Sequence, residues 1–326
     1  MALKKIRTGI IGLGHIGKTH IAALQDSPDF ELIAACDRNT DLSAIVPSSV
    51  AFFTSHFKML DDGGFETVII ATPNITHNAI AIDALRAGFN VIIEKPAAMS
   101  MEELYALEGA ARAAQRHIYY AFHAAMACEV AWLAPHLRDN AHIYGPLTSF
   151  YSRFFDPYVS VDGKICEDAA SLDNCWSDSG VNALSVIHEI LPVDRLTVES
   201  IRQSQLEKKT SDLSSMSVRF SFPVHSEDKS GLGIIETAWD QGKNFKCTDL
   251  NFGLTGWRLV ADHSSQSVTA YHPNGCKQVL VEFDGDRLLN HYRGVFADYC
   301  ECLRNQRMNG ESALAIHRKL FAAFSA

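Results

Sequence analysis

The sequence predicts an α/β fold for the first part of the chain and an α+β arrangement for the rest, on three observations. Short apolar runs at 8–13, 31–36, 67–71 and 91–93 alternate with amphipathic stretches of helical length. Strands that are apolar on both faces, joined by helices, describe a parallel sheet covered on two sides. Past about residue 195 the pattern changes to period two, in 216–222 and within 233–240, 256–262 and 277–283. Such alternation predicts antiparallel strands with one wet face. The 326 residues also divide naturally into about two domains at roughly 150 residues each.

The elements follow in order. The run 8–13 ends in glycines and leads into an amphipathic helix at 16–24, then a second strand at 31–36 that stops at Asp37. A third strand is expected at 51–54, and 67–71 closes on Thr72-Pro73-Asn74. The next helix, 76–87, stops at Gly88, because glycine tolerates the positive φ of a helix C′ position. A strand at 91–93 precedes a helix that begins at Ser100 and reaches about Ala114; Ser100-Met-Glu-Glu103 is a capping box. A sixth strand is expected at 119–122, and two helices, 288–305 and 311–324, close the chain. The boundary falls between Phe122 and Gly145, giving a first domain of residues 1–122 and a second of 123–326.

Composition narrows the function classes. Hydrophobic residues are 47% and charged residues 21%, which excludes a disordered or fibrous chain. Lys and Arg number 29 against 38 Asp and Glu, a net charge of -9. That balance argues against nucleic acid and anionic membrane as partners. No run is long enough to span a bilayer, and the apolar stretch after Lys4, Lys5 and Arg7 is too short for a signal-peptide core. The eight scattered cysteines read as reduced cytosolic thiols, so a cytoplasmic protein is expected. Fourteen histidines raise the question of a metal, but no H-E-x-x-H or cysteine-rich spacing is present, and none is expected.

Gly12-Leu-Gly14-His-Ile-Gly17 follows a strand and opens a helix, as a dinucleotide fingerprint requires. Gly12 allows the tight turn, Gly14 lets a pyrophosphate reach the backbone, and Gly17 lets helix and strand pack closely. The free N–H groups of the helix start then face the phosphates. Asp37, 20 residues after Gly17, stands where a carboxylate binds the ribose hydroxyls of NAD. Arg38 beside it can hold a 2′-phosphate that Asp37 repels, so NAD is expected to be preferred and NADP tolerated; a solvated surface arginine is the alternative. The same loop, Gly12 to Thr19, also satisfies the Walker A pattern of an NTPase, and a plain unliganded turn is a third possibility. Gly14 favours the dinucleotide, since a P-loop does not need it.

With these residues, Thr72-Pro73-Asn74, Thr76-His77, Ala84-Leu85, Ala87-Gly88, Glu94-Lys95-Pro96 and Tyr292-x-x-Val295-Phe296-x-Asp298-Tyr299 make the chain resemble the glucose–fructose oxidoreductase / inositol dehydrogenase (Gfo/Idh/MocA) family. The resemblance implies an N-terminal Rossmann dinucleotide-binding domain and a C-terminal α+β domain built on a large open antiparallel sheet. It implies a cofactor site made by Gly12, Gly14, His15, Ile16, Gly17, Asp37, Arg38, Thr72, Pro73, Asn74, His77, Glu94 and Lys95. The family usually carries a G-x-x-x-D-x-x-x-H element in the second domain. Here the corresponding stretch is Asp178-Ser-Gly-Val-Asn182-Ala-Leu-Ser-Val-Ile-His188, with Asn182 where the histidine is usual. That form resembles the branch of L-arabinose and D-galactose 1-dehydrogenases, which oxidise the anomeric hydroxyl of an aldose to a lactone.

By this resemblance Asp178 is the base for the hydroxyl proton, Asn182 orients that hydroxyl, and Lys95 supplies positive charge near the forming oxyanion. Asp178 and Asn182, four apart, lie within one helical turn and can face one cavity. Asp178 could instead cap a helix at 179–191. His123 stands where the branch places a substrate-contacting histidine, with a satisfied core histidine as the alternative. Between Tyr151 and Trp176 the chain departs from the branch. Asp156 there either replaces a sugar-binding carboxylate or begins a turn with Pro157. Lys95, His123, Asp156, Asp178 and Asn182 are thus the expected substrate contacts. A ring secondary alcohol such as an inositol, or a non-catalytic dinucleotide sensor, are the competing functions. A homo-oligomer, dimer or tetramer, is expected, because an outer sheet face carrying Phe220, Phe222 and Trp239 in alternation would expose an apolar patch if left uncovered.

Overall fold

The computed structural model describes residues 4–25, 27–166, 169, 171–206, 213–224 and 230–324. The chain divides into two compact units. One comprises the residues up to Phe122 together with Tyr292–Leu314; the other comprises His123–His291 together with the residues from Ala315 onward.

In the first unit, six strands form one parallel sheet: β1 (Ile6–Ile11), β2 (Phe30–Cys36), β3 (Ala51–Phe53), β4 (Thr67–Ile70), β5 (Asn90–Glu94) and β6 (Ile118–Ala121). Their order is β3-β2-β1-β4-β5-β6, the doubly wound Rossmann order, which reverses between β1 and β4. The helices are α1 (His15–Gln25), α2 (His56–Asp62), α3 (Asn74–Arg86) and α4 (Met101–Ala114). The strand centres are buried on both faces, with Ile10, Val68, Ile69, Ile70, Val91, Ile92 and Ile93 inaccessible. Half of the expected capping box forms: Ser100 Oγ accepts from the Glu103 N–H at 3.2 Å, while Glu103 Oε2 reaches past the N-cap to accept from the Met99 N–H at 2.8 Å. Gly88, expected at C′, has φ +91°. Helix α3 starts two residues before the expected Thr76, at Asn74.

Residues 292–314 complete this unit. The Tyr119 hydroxyl donates to Asp298 Oδ2 at 2.7 Å, and Thr67 Oγ1 lies 3.0 Å from the Tyr299 hydroxyl. Asn309 brackets the Tyr120 backbone, accepting from its N–H at 3.0 Å and donating to its carbonyl at 2.8 Å. Phe30 packs on Phe296 with ring centroids 4.9 Å apart.

The second unit holds α5 (Cys128–Asp139), α6 (Ala141–Tyr144) and α7 (Val181–Ile190). Its sheet contains β7 (Ser149–Phe155), β8 (Thr197–Gln205), β9 (Leu213–Pro223), β10 (Ser230–Ala238), β11 (Phe245–Phe252), β12 (Trp257–Asp262), β13 (Ser267–Tyr271) and β14 (Lys277–Glu282). The order is β14-β13-β12-β11-β7-β10-β9-β8. Every neighbouring pair is antiparallel except β7 and β10, so the sheet is mixed rather than wholly antiparallel. The last two helices are α8 (Arg287–Asn305) and α9 (Gly310–Ala322).

Phe220, Phe222 and Trp239 are buried within the chain, so they do not form the outward apolar patch that the alternation suggested. On β9 the other parity faces out, with Ser217, Arg219 and Ser221. None of the eight cysteines is in a disulfide. No helix among the described residues is long and apolar enough to cross a membrane.

Candidate functional site

In the first unit the glycine loop joins the end of β1 to α1, at the point where the strand order reverses and α/β proteins bind their ligands. Gly12 has φ +95°, and a Cβ there would lie 2.4 Å from the Ala71 carbonyl oxygen. A Cβ at Gly17 would lie 2.1 Å from the Gly12 carbonyl oxygen, so helix and strand meet only because no side chain intervenes. Gly14 is different: nothing stands within 4 Å of a Cβ built on it. The first two glycines are required by the fold, whereas Gly14 leaves open space over exposed backbone. That is the clearance a pyrophosphate needs, and the residues fit a dinucleotide.

Asp37 follows β2 and turns its carboxylate to the loop. Oδ2 accepts from the Leu13 N–H and Oδ1 from the Asn39 N–H, both at 2.8 Å. Two lone-pair sites remain for ribose hydroxyls. His15 and Arg38 are exposed and Ile16 half-buried.

Two further turns carry the rest of the expected cofactor set. His77 on α3 ties them together: Nε2 lies 2.6 Å from the Thr72 carbonyl and Nδ1 2.9 Å from the Pro96 carbonyl. Burial holds its pKa below the ordinary histidine value. Pro73 is exposed and Asn74 buried at the start of α3. Glu94 is buried at the end of β5. Its Oε1 accepts from His20 Nε2 at 2.8 Å and from the Tyr292 hydroxyl at 2.6 Å, and Oε2 accepts from the Lys95 N–H at 3.2 Å. These bonds hold its pKa below the ordinary glutamate value although burial opposes them. Glu94 thus anchors the strand end from which Lys95 emerges, half-buried and ahead of a cis Lys95–Pro96 bond.

In the second unit the site stands on the inner face of the sheet. β7 and β11 are neighbours, with Ser152 opposite Thr248 and Phe154 opposite Lys246. Asp156 follows β7 with the parity of Ser152 and Phe154. Its Oδ1 lies 2.5 Å from Lys246 Nζ, and its Oδ2 accepts from Ser179 Oγ at 2.9 Å. Both members of the ion pair are buried. Burial pulls the Lys246 ammonium below the ordinary lysine range, and Asp156 beside it opposes that shift. Ser179 Oγ also lies 3.3 Å from Asp178 Oδ2, so Lys246, Asp156, Ser179 and Asp178 form one connected set.

Asp178 lies in a π-helical turn, Trp176–Gly180, which runs directly into α7. Such widened turns recur at functional sites. Asn174 Oδ1 starts the turn by accepting from the Trp176 and Ser177 N–H groups at 3.0 and 2.9 Å. The Trp176 indole N–H donates to the Leu320 carbonyl at 2.9 Å. A Cβ on Gly180 would lie 2.6 Å from that indole, so glycine makes room for the ring. The alternative that Asp178 caps the helix is therefore not met: Gly180 precedes α7, and Asp178 is inside the turn before it.

Asn182, one turn on, lines a small pocket with His123, Lys246, His263, Arg287 and His291; Phe154 gives it an apolar wall. Asn182 Oδ1 and His291 Nε2 are buried without a hydrogen-bond partner among the described residues. His123 Nδ1 lies 3.2 Å from His291 Nδ1. Burial, with Arg287, His263 and Lys246 near, pushes His291 down to about 3. His263 is held from both sides: Nδ1 lies 2.9 Å from Glu129 Oε1 and Nε2 2.9 Å from Thr248 Oγ1, which is itself 2.9 Å from Ser152 Oγ.

Within this unit, Asn182 and His123 share the pocket, and Asp178 and Asp156 are linked through Ser179. Asp156 also begins a turn, since the Tyr158 N–H donates to its carbonyl. The segment after it is bridged at Val159 and Ile165, and none of its described residues is in the pocket lining. Lys246, Glu129, His263, Arg287 and His291 escaped the sequence analysis. Two signals were present: a lysine at an inward position of β11, and the four-residue spacing of Arg287 and His291 on α8.

Comparison with known proteins places the first unit. Residues 6–122 match the Gfo/Idh/MocA model, described as an oxidoreductase family with an NAD-binding Rossmann fold. The UDP-N-acetylglucosamine 3-dehydrogenase of Acidithiobacillus ferrooxidans is 36% identical over 118 residues, 36% of each chain. The scyllo-inositol 2-dehydrogenase (NAD(+)) of Bacillus subtilis is 30% identical over 103 residues, 31% of this chain and 30% of that one. The chain thus spans about a third of the length of these curated relatives. The crystal structure of an oxidoreductase domain protein from Kribbella flavida superposes with a TM-score of 0.83 over 99% of this chain and 97% of that one, at 18% identity, and so shares the fold of both domains. Residues 6–122, the stretch that holds the glycine loop, the Thr-Pro-Asn turn and Glu-Lys-Pro, are thus similar to the NAD-binding Rossmann domain of the Gfo/Idh/MocA oxidoreductase family.

Proposed function

We propose that the protein is an NAD-dependent dehydrogenase that oxidises a CH–OH group of a sugar, at C1 of a galactose- or arabinose-like aldose, to give the lactone. The observation that carries this reading is the Asp178–Asn182 pair on one helical run, with the buried Asn182 Oδ1 unpartnered in a pocket of the second unit. A substrate hydroxyl supplies the donor that Oδ1 lacks. The family of the first unit, and relatives whose names include sugar and inositol dehydrogenases, support the reaction class.

A bound nicotinamide supplies the hydride acceptor. The chain does the rest. Asp178 accepts the proton of the reacting hydroxyl as its C–H bond breaks, and the Ser179 hydroxyl, which donates to Asp156, stands 3.3 Å from the Asp178 carboxylate. Asn182 orients the hydroxyl, and His123 contacts a neighbouring oxygen. Lys95 gives positive charge to the oxygen as it becomes anionic. Asp37 selects NAD, and the adjacent Arg38 leaves NADP as a poorer alternative. Asp156 acts through Lys246 and Ser179, which already occupy its oxygens.

Oxidation of a ring secondary alcohol is the second reading, favoured by the inositol dehydrogenase relative. A panel of aldoses and cyclitols with NAD or NADP, followed by absorbance of the reduced cofactor, separates the two. Turnover of an aldose that disappears in Asp178→Ala and Lys95→Ala supports the proposal. Turnover of cyclitols alone replaces it with the second reading, and dinucleotide binding without oxidation of any compound overturns both in favour of a sensor.

A further inference from the structure

We propose that the pocket of the second unit takes a sugar or polyol bearing an anionic group, a carboxylate or a phosphate ester, and that Arg287, with Lys246 and His291, receives that charge. This rests on the dehydrogenase reading and names the substrate class of the same site.

Among the described residues the pocket lining carries Lys246, Arg287 and three histidines, and no aspartate or glutamate. The nearby carboxylates are engaged elsewhere. Asp156 holds Lys246 and Ser179, Glu129 holds His263, and Asp178 faces the Lys246 charge from the helix. Arg287 is the exception. Among the described residues its guanidinium has neither a hydrogen-bond acceptor nor a carboxylate at salt-bridge distance, and it is only half-exposed.

Arg287 and His291 stand four apart on α8 and therefore on one face of that helix. In the tautomer where the His123 Nδ1–H donates to His291 Nδ1, His291 Nε2 carries a proton that has no acceptor among the described residues, on a side chain that lines the pocket. The pocket thus pairs an unused acceptor, Asn182 Oδ1, with an unused guanidinium and an unused imidazole N–H. A neutral sugar would satisfy the acceptor and leave the Arg287 guanidinium without counter-charge as water is displaced. A planar carboxylate or a phosphate fits the guanidinium fork and offsets the mutual repulsion of Lys246 and Arg287.

The test compares matched pairs, galactose with galacturonate and glucose with glucose 6-phosphate, on the full chain with NAD. Wild type, Arg287→Met and Arg287→Lys are each checked for folding by circular dichroism. We expect one anionic member to exceed its neutral partner in kcat/KM by at least about tenfold, as a charge-assisted hydrogen bond implies. Arg287→Met removes that ratio, and Arg287→Lys restores part of it. The uronate and the phosphate distinguish the two anion types. Calorimetric titration of the same compounds with NAD present gives a second readout: anion binding that needs Arg287 supports the inference. Neutral partners turned over as well as anions, a ratio unmoved by Arg287→Met, or no binding of either anion overturns it. Arg287-dependent anion binding without oxidation of any compound would instead overturn the dehydrogenase reading and leave the pocket assignment standing.

Discussion

Lys246 Nζ and Asp156 Oδ1 lie 2.5 Å apart on the inner face of the second unit's sheet, both almost fully buried. Removing one member leaves an uncompensated buried charge, which typically costs about 3–5 kcal/mol, whereas replacing both by apolar groups is often close to neutral. Lys246→Met is therefore expected to lower stability by about 3 kcal/mol, and Lys246→Met with Asp156→Leu to recover most of that loss. Urea midpoints of the two single variants and the double variant check this; equal loss in the double variant would refute it.

The three loop glycines separate folding from ligand binding. Gly17→Ala sets a Cβ against a backbone oxygen at 2.1 Å, and is expected to destabilise the cofactor-free protein by about 3 kcal/mol. Gly14→Ala meets nothing within 4 Å, so its melting temperature without cofactor stays at the wild-type value. Its NAD affinity falls at least about tenfold, because the methyl group fills the pyrophosphate's approach. Thermal melts and NAD titrations read the two effects separately.

Asp37→Ser removes the charge that repels a 2′-phosphate and keeps Arg38 beside it. The ratio of kcat/KM for NAD over NADP is expected to fall by about tenfold or more. The Leu13 and Asn39 N–H groups lose their carboxylate acceptor in the same variant, so the first unit also loses about 1 kcal/mol of stability.

His291 makes stability fall in acid. Its folded pKa of about 3 lies below the ordinary 6.5, because it is buried, with the cationic Arg287 and Lys246 and the imidazole of His263 near and His123 in direct contact. The unfolded chain gains a proton there below about 6.5 that the folded chain refuses until about 3. The stability is fully present above 6.5 and is lost as pH falls through that window. At pH 4.5 the loss due to His291 is on the order of 3 kcal/mol. Urea unfolding at pH 7 and 4.5 should show a smaller drop for His291→Asn than for wild type. A residual slope remains in both, since His77 and His188 are also held below the ordinary value.

Gly180→Ala presses a methyl group against the Trp176 ring, where a Cβ would sit 2.6 Å away. Overpacking of this kind costs about 1–3 kcal/mol and displaces the turn that carries Asp178. A loss of stability together with a lower kcat is expected.

The first unit was legible because its signals are local. Each strand is a run apolar on both faces, and the ends carry their own marks: Gly88 at positive φ, Ser100 with its cap, Pro96 after Lys95. The second unit was less so. β8 reads Thr-Val-Glu-Ser-Ile-Arg-Gln-Ser-Gln, mostly exposed, and shows no apolar alternation. α5 contains Pro135, which reads as a helix breaker. Asp178 and Asn182 could be paired from their spacing alone. His263 and Glu129 could not: 134 residues separate them, and only the fold makes them partners.

The anchoring of Glu94 by Tyr292 bears on how the protein is made. Synthesis is vectorial, and the ribosome delivers about 5–20 residues per second. When Phe122 leaves the exit tunnel, Glu94, Thr67 and Tyr119 still await Tyr292, Tyr299 and Asp298. The nascent Rossmann sheet therefore waits with its Glu94 carboxylate one partner short until residues 292–299 have been translated. The strand end that presents Lys95 matures last, so its dinucleotide cradle is finished only after the other lobe has been synthesised.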